Sequence, residues 1–157
     1  MIVTDSEIIA ALAARLTDKT IAGTRVYQSR FIPFQPEEVP CINIVPSEAN
    51  YILSNDETVN SATRNFTIIM YAKGDDGSEV LYTGNDPVFM TIENMKNIVR
   101  NEFNNIYENL NKLVYRVKLS SGRTELKPES SWVYGISSLV YTIETKEKVK
   151  DPKNPIG

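Results

Sequence analysis

Carboxylates are the side chains best suited to chemistry in this sequence, because its 157 residues include no histidine and a single cysteine, Cys41. The chain therefore lacks the commonest general base and the commonest transition-metal ligand. Catalytic triads of the Ser/His/Asp and Cys/His types are excluded, and so is a zinc site built from cysteine and histidine. A reaction centre would have to be assembled from acidic side chains.

Two groups of carboxylates are candidates for such a centre. Residues 75–86 carry four of them, whose oxygens could hold a hard cation, although their spacing does not follow the calcium-loop pattern. The adjacent Glu37 and Glu38 would act as acid and base only if their carboxyl groups faced each other across about 5 to 9 Å. Neighbours in a proline-flanked turn point apart instead. Both groups are more simply solvated surface residues, and we expect no cofactor and no metal.

Size, composition and charge indicate one soluble globular domain. The chain is 41% hydrophobic, and its 17 basic and 20 acidic residues leave a net charge of −3. That charge gives no reason to expect specific nucleic-acid binding. No apolar stretch is long enough to cross a membrane, and the amino terminus has the pattern of a helix and not of a secretory signal.

Two amphipathic helices are predicted. The first runs from Asp5 to Leu16, behind a capping box in which Thr4 and Glu7 satisfy each other's backbone N–H groups. The second begins at Pro87, after Asp86 as N-cap, and repeats apolar residues at spacings of three and four. Each helix therefore has one face to bury.

Five segments have the composition of strands, and two polar stretches separate them. Residues 51–62 are predicted to be a hairpin arm or a long loop, and residues 120–131 a long polar connection. In the last strand Gly135 and the Ser137-Ser138 pair predict a bulge. The third strand is apolar on both faces, so we expect it to be central and covered on both sides. The predicted strands are Val26-Tyr27, Cys41 to Val45, Arg64 to Ala72, Val114 to Leu119 and Trp132 to Thr145.

These elements predict an α+β fold. Two helices on one face of a mainly antiparallel or mixed sheet of four to five strands would make a two-layer sandwich. The domain would span residues 1–145. Residues 146–157 form a charged, proline-containing tail with little to bury.

The segment "RFIPFQPEEVPCINIV", residues 30–45, is the most unusual stretch of the chain. Its prolines restrict the backbone, which lowers the entropy lost when Phe31 and Phe34 are held on a surface. Either these rings are presented to a partner, or they fold back and cap the core between helices and sheet. Tyrosines predicted on strands, including Tyr27 and Tyr71, have two interpretations of their own. Either they follow the preference of tyrosine for strands and half-buried sites, or some lie on the sheet face away from the helices, where a partner subunit could cover them.

The order of these elements resembles the tail terminator proteins of long-tailed bacteriophages, the lambda-type proteins that cap the tail tube. The resemblance covers about Thr4 to Thr145; the chain departs from it in the longer "SSGRTELKPESS" connection and in the charged tail. The residues that carry it are Leu12 and Leu16, Val26-Tyr27, Arg30, Glu37-Glu38, Val39-Pro40, Cys41 to Val45, Trp132 and the closing "LVYTIET".

The resemblance implies a virion structural protein and not an enzyme. It would assemble in the host cytoplasm as a homo-hexameric ring on the tail tube protein, end tube polymerisation, and present the head-proximal end of the tail to a head-completion or neck protein. In a contractile tail, a sheath protein would be a further partner. The contacts are expected at Arg30, Phe31, Phe34, Glu37, Glu38, Tyr51, Asp56, Glu57, Arg123 and Trp132.

Three other functions remain open from the sequence. A neck or head-completion adaptor would share a small α+β fold and ring assembly. An enzyme would use the carboxylates or a cation of residues 75–86. A non-viral binding module is the third, since a fold does not fix a function. We also expect residues 30–40, 54–62 and 120–131 to be mobile alone and to become ordered on docking.

Overall fold

A computed structural model describes residues 4–53, 59–73, 87–103, 116–128 and 133–148. They form an α+β fold with one five-stranded sheet and two α-helices, as predicted. In chain order the elements are α1 (Asp5–Leu16), β1 (Val26–Gln28), a 3-10 helix (Pro36–Glu38), β2 (Cys41–Leu53), β3 (Val59–Lys73), α2 (Pro87–Phe103), β4 (Arg116–Pro128) and β5 (Val133–Lys148).

The sheet is mixed and has the strand order β1-β2-β3-β5-β4. β1 pairs with β2 in parallel, whereas the β2–β3, β3–β5 and β4–β5 pairs are antiparallel. β3 is therefore central, as predicted. β3 and β4 run in the same direction with β5 between them, so the chain that contains α2 is a crossover connection.

Both helices pack on the same face of the sheet, called here the helix face. α1 begins with the predicted capping box of Thr4 and Glu7. The shared core includes Ile8, Leu12 and Leu16 of α1, Ile92, Met95 and Val99 of α2, and Ile42, Ile44, Phe66, Ile68, Met70, Leu139 and Ile143 of the sheet. These strand residues alternate along the chain because successive side chains of a strand point to opposite faces.

β2 is longer than predicted, because the strand continues through Pro46 to Leu53 instead of ending at Val45. Ser47 is an extra residue at this point, since Pro46 is opposite Phe66 and Glu48 is opposite Asn65. Proline is tolerated in a strand at a bulge or along an edge, where its missing N–H breaks no ladder bond. β2 and β3 form a hairpin. Residues 51–53 and 59–62 belong to the arm of that hairpin, which is one of the two structures predicted for residues 51–62.

β4 corrects a second prediction, because most of the polar connection expected at residues 120–131 is strand up to Pro128. An edge strand needs no apolar alternation, since much of its surface faces water. The bulge expected in β5 is also wrong: β5 pairs continuously with β3, and the extra residue is Ser120 of β4. Because residues 120–128 are strand, the expectation that they form a mobile loop is wrong as well.

The face opposite the helices, called here the open face, is covered differently from the prediction. Thr67, Ile69 and Tyr71 of β3 are half-buried there, while their neighbours Ile68 and Met70 are fully buried on the helix face. No helix covers the open face in the described part of the chain. β3 is thus central but is not packed equally on both sides.

Candidate functional site

The best-built feature of the open face is the segment of residues 29–40, called here the Arg30 loop. It leaves β1 at Ser29, whose φ of 55° lies in the left-handed region and turns the chain back. The Ser29 N–H donates to the carbonyl of Ile44 at 2.8 Å. The loop ends in the 3-10 helix and a cis peptide bond between Val39 and Pro40, and then enters β2.

A bidentate ion pair closes this loop. The Arg30 guanidinium donates from Nη2 to Oε1 of Glu38 at 2.9 Å and from Nη1 to Oε2 at 2.5 Å. Its Nε also donates to the Ile32 carbonyl at 3.2 Å, and the Gln35 N–H donates to Glu38 Oε1 at 3.0 Å. Paired charge-assisted bonds of this geometry are strong and directional. Two residues eight positions apart therefore hold the loop in one shape.

Asn43 ties the loop to the sheet. Its Oδ1 accepts from the Arg30 N–H at 3.0 Å, and its Nδ2 donates to the Arg30 carbonyl at 2.9 Å. The side-chain amide therefore pairs with the backbone as a neighbouring strand would. Asn43 is buried in a strand of apolar residues, and these bonds satisfy the polar atoms that burial would otherwise leave unpaired.

Aromatic rings form the floor of the loop. The ring of Phe34 lies 5.2 Å from that of Tyr27 in β1 and 4.9 Å from that of Tyr71 in β3, centroid to centroid. The Arg30 guanidinium carbon is 4.4 Å from the Phe34 centroid and 4.8 Å from the Tyr27 centroid. Such cation–π contacts add to the ion pair in holding the arginine.

The charges of the loop are set by these contacts. Hydrogen bonds from Arg30 and from the Gln35 N–H lower the pKa of Glu38 to about 2. The hydrogen bond between the two side chains also raises the pKa of Arg30. Burial raises the pKa of the Cys41 thiol to about 12. At neutral pH Glu38 is thus an ionised carboxylate held by arginine, and Cys41 is a protonated thiol. Neither state suits acid catalysis or nucleophilic attack.

Phe31 and Ile32 stand at the tip of the Arg30 loop, with 91% and 72% of their surfaces exposed. Phe34 is half-buried on the open face, so it does not cap the core between helices and sheet. The two phenylalanines therefore have different environments. One anchors the loop on the sheet, and the other stands in solvent on a fixed backbone.

The predicted contact residues fall into four groups. Arg30, Phe34 and Glu38 are brought together in the loop, with the exposed Phe31 and Glu37 beside them. Arg123 is on β4, at the other edge of the sheet, where it is exposed and pairs with Glu125. Tyr51 is in β2 opposite Ala62. Asp56, Glu57, Trp132 and the acidic cluster of residues 75–86 lie outside the described residues.

Asn43 and the contact of Phe34 with Tyr27 and Tyr71 could not be assigned from spacing. The sequence contained signals for them, namely one polar residue within "CINIV" and tyrosines on two predicted strands. The pairing of β1 with β2 and of β2 with β3 places Tyr27, Asn43 and Tyr71 on one face of the sheet. Long-range strand register decides which tyrosine lies beneath the loop.

Two features that would indicate other functions are absent from the described residues. No group of three or more histidine, cysteine, aspartate or glutamate side chains that could hold a metal ion is present among them. In the same part of the chain, no helix is both long enough and apolar enough to cross a membrane.

The fold is similar to that of a chain in the virion of a native gene transfer agent particle. The two share 14% sequence identity at a TM-score of 0.55, and the match covers 88% of this chain and 94% of the other. No protein-family model matches the sequence, and no curated protein matches it. The likeness therefore concerns the fold, over nearly the full length of both chains.

Proposed function

We propose that this protein is a virion structural protein of a phage-like particle, of the tail terminator type. It caps the tail tube as a six-membered ring, ends tube polymerisation, and forms the surface that joins tail to head. Its partners are further copies of itself, the tail tube protein, and a head-completion or neck protein. It acts by binding and is not an enzyme.

The observation that carries this proposal is the likeness of the fold to a chain of a gene transfer agent virion over 88% of the sequence. The helices and strands whose order resembles that of tail terminator proteins are the elements of this fold. A virion particle contains several kinds of small subunit, so the specific role rests on that resemblance.

The Arg30 loop supports a role in binding. It presents Phe31 and Ile32 to solvent on a backbone fixed by the Arg30–Glu38 ion pair. Exposed large apolar residues are typical of surfaces that bind other proteins. Because the loop is already ordered, little entropy is lost when it docks. These contacts favour a loop that is restrained before docking, whereas the sequence predicts that residues 30–40 are mobile alone and become ordered on docking; their hydrogen exchange with and without tube protein distinguishes the two.

Polymerisation of the cognate tail tube protein tests the proposal. Added to growing tubes in increasing amounts, the protein should shorten them and leave blunt ends in electron micrographs. Bovine serum albumin at the same concentration controls for crowding. Tubes of unchanged length at every concentration would refute the terminator role.

The same preparation distinguishes the neck adaptor. An adaptor would form rings that bind portal assemblies while tubes continue to grow. A terminator stops growth whether or not portal is present. Measuring tube length and portal binding in one series therefore separates the two functions.

A further inference from the structure

A cavity of about 410 Å³, called here the β4–β5 cavity, lies beside the last two strands of the sheet. Its lining residues are Lys118, Leu119, Ser120, Thr142 and Glu144. Lys118 is opposite Thr142, which is opposite Asn65 of β3, so these three side chains share the open face. Ser120 is the extra residue of β4 at this point, and such a bulge bends its strand.

The hydroxyl groups of this cavity are engaged with one another, whereas its lysine is not. Ser120 Oγ is 2.5 Å from Thr142 Oγ1, which donates to Oδ1 of Asn65 at 2.9 Å. Lys118 is exposed and takes part in none of the ion pairs in the described part of the chain. Its ammonium group is therefore available to a carboxylate from another molecule.

The tip of the Arg30 loop has the complementary chemistry. Phe31 and Ile32 are exposed there on a restrained backbone. Glu37 is exposed beside them and, like Lys118, takes part in none of the ion pairs between described residues, because Arg30 is bound to Glu38. The tip therefore combines a projecting apolar surface with an available carboxylate.

The tip and the cavity lie on opposite sides of one sheet. Phe34 fixes the loop over Tyr27 of β1 and Tyr71 of β3. Four interstrand spacings, about 19 Å in total, separate β1 from β4. Since 91% of its surface is exposed, Phe31 does not rest on its own sheet. Both features are therefore open to another copy of the chain.

From these features we infer that the tip of the Arg30 loop of one copy seats in the β4–β5 cavity of the next copy, with Glu37 beside Lys118. The contact is heterologous, since each copy uses a different surface toward each neighbour, and repetition can close a ring. This inference rests on the ring of the proposed function and names the surfaces that join its subunits. A second copy is the favoured occupant because one chain supplies both the acidic, apolar tip and the cavity with its available lysine.

Photocrosslinking from the tip tests this contact. Phe31 is replaced with p-benzoylphenylalanine in isotope-labelled protein, which is mixed with unlabelled wild type and tube protein and irradiated. We expect a dimer in which a labelled loop peptide is joined to an unlabelled peptide of β4 or β5 from the cavity. The labels exclude a link within one chain.

Ile21 is the matched control for this replacement, because it is also apolar and is 61% exposed in the turn after α1. The photoreactive group at position 21 should not link to peptides of the cavity. Links from position 31 to another surface of the protein, or to tube protein alone, would overturn the inference.

Charge reversal gives a second readout in sedimentation experiments. Lys118→Glu should weaken self-association about tenfold, since like charges across a contact repel each other, and adding Glu37→Lys should restore it. Glu144→Gln should not weaken self-association, because it removes a carboxylate that would repel Glu37. Lys19→Glu, an equal change of charge at another exposed lysine, is the control and should have no effect.

The failure of this contact and the failure of the proposed function give different results. If rings form in micrographs but neither the crosslink to the cavity nor the charge rescue is seen, the contact is wrong while the proposed function stands. If the wild-type protein shows no self-association even with tube protein, both are overturned.

Discussion

The two faces of the sheet differ in what covers them. On the helix face Ile42, Phe66 and Ile68 are fully buried beneath α1 and α2. On the open face Ile69 and Tyr71, which belong to β3 as Phe66 and Ile68 do, remain half-buried. Alternation along single strands thus separates residues that hold the fold together from residues available for contacts.

The open face is organised chiefly by polar and aromatic contacts. Arg30, Glu38 and Asn43 hold the loop through hydrogen bonds, and Phe34 packs between two tyrosines. Such contacts fix direction more than they add free energy of folding. Variants on the helix face should therefore unfold the protein, whereas variants on the open face should alter the loop or assembly.

The largest effect is expected from a matched pair of neighbours in β3. Ile68→Ala leaves a cavity in the core and should lower the free energy of unfolding by about 2–5 kcal/mol. Ile69→Ala should cost clearly less, because its side chain is half-exposed. Urea denaturation of both variants measures the difference. Equal losses would show that the open face is packed as tightly as the helix face.

Breaking the ion pair should disorder the loop without unfolding the domain. In Arg30→Ala we expect faster amide exchange in residues 30–40 and unchanged exchange in β3, because Arg30 contacts Glu38, Phe34 and Tyr27. Arg30→Lys should restore little, since lysine cannot form the bidentate pair. Arg123→Ala, at the exposed edge, is the control. Unchanged exchange in Arg30→Ala would contradict this role.

Loop order should depend on pH through Glu38. Its pKa falls from 4.5 to about 2 in the folded protein. Because the folded pKa is the lower one, the contribution of the ionised carboxylate is complete above about pH 4.5 and is lost as the pH falls toward 2.

Ring signals of Tyr27 and Phe34 in NMR spectra, recorded between pH 6 and pH 2, would follow this loss. Glu38→Gln should remove this component of the pH dependence, and Glu37→Gln should leave it, since Glu37 is exposed and outside the ion pair. Identical titrations for wild type and Glu38→Gln would count against the assignment.

The smallest effect on stability is expected at the tip of the loop. Phe31→Ser should change the free energy of unfolding by less than about 0.5 kcal/mol, as exposed substitutions usually do, yet it should weaken assembly. Phe34→Ser is the partner variant and should loosen the loop, because this ring contacts Tyr27 and Tyr71. Thermal unfolding and ring counts in micrographs separate the two. Normal assembly of Phe31→Ser would remove Phe31 from the contact.

Local signals predicted much of the fold. The capping box at Thr4 and the apolar stripe of α1 are short-range patterns, and the structure confirms them. The long strand β4 was not predictable in this way, because polar side chains suit an edge strand and a loop equally. Pro46 was misleading for a related reason: it usually ends a strand, but here it lies beside a bulge.

The geometry of the Arg30 loop was predictable only in part. Arg30, Phe34 and Glu38 were expected to make contacts, but their contacts with one another depend on the reversal at Ser29 and on Asn43 beneath the loop. Both depend on the parallel register of β1 and β2. Sequence spacing alone contains no information about that register.

Electron cryomicroscopy of tubes assembled with this protein is the decisive measurement of the capping role. We expect a single six-fold ring of the protein at one end of each tube, with no tube subunit beyond it and with Phe31 and Ile32 at a subunit or partner contact. Protein distributed along the tube wall, or absent from both ends while tubes continue to lengthen, would contradict it.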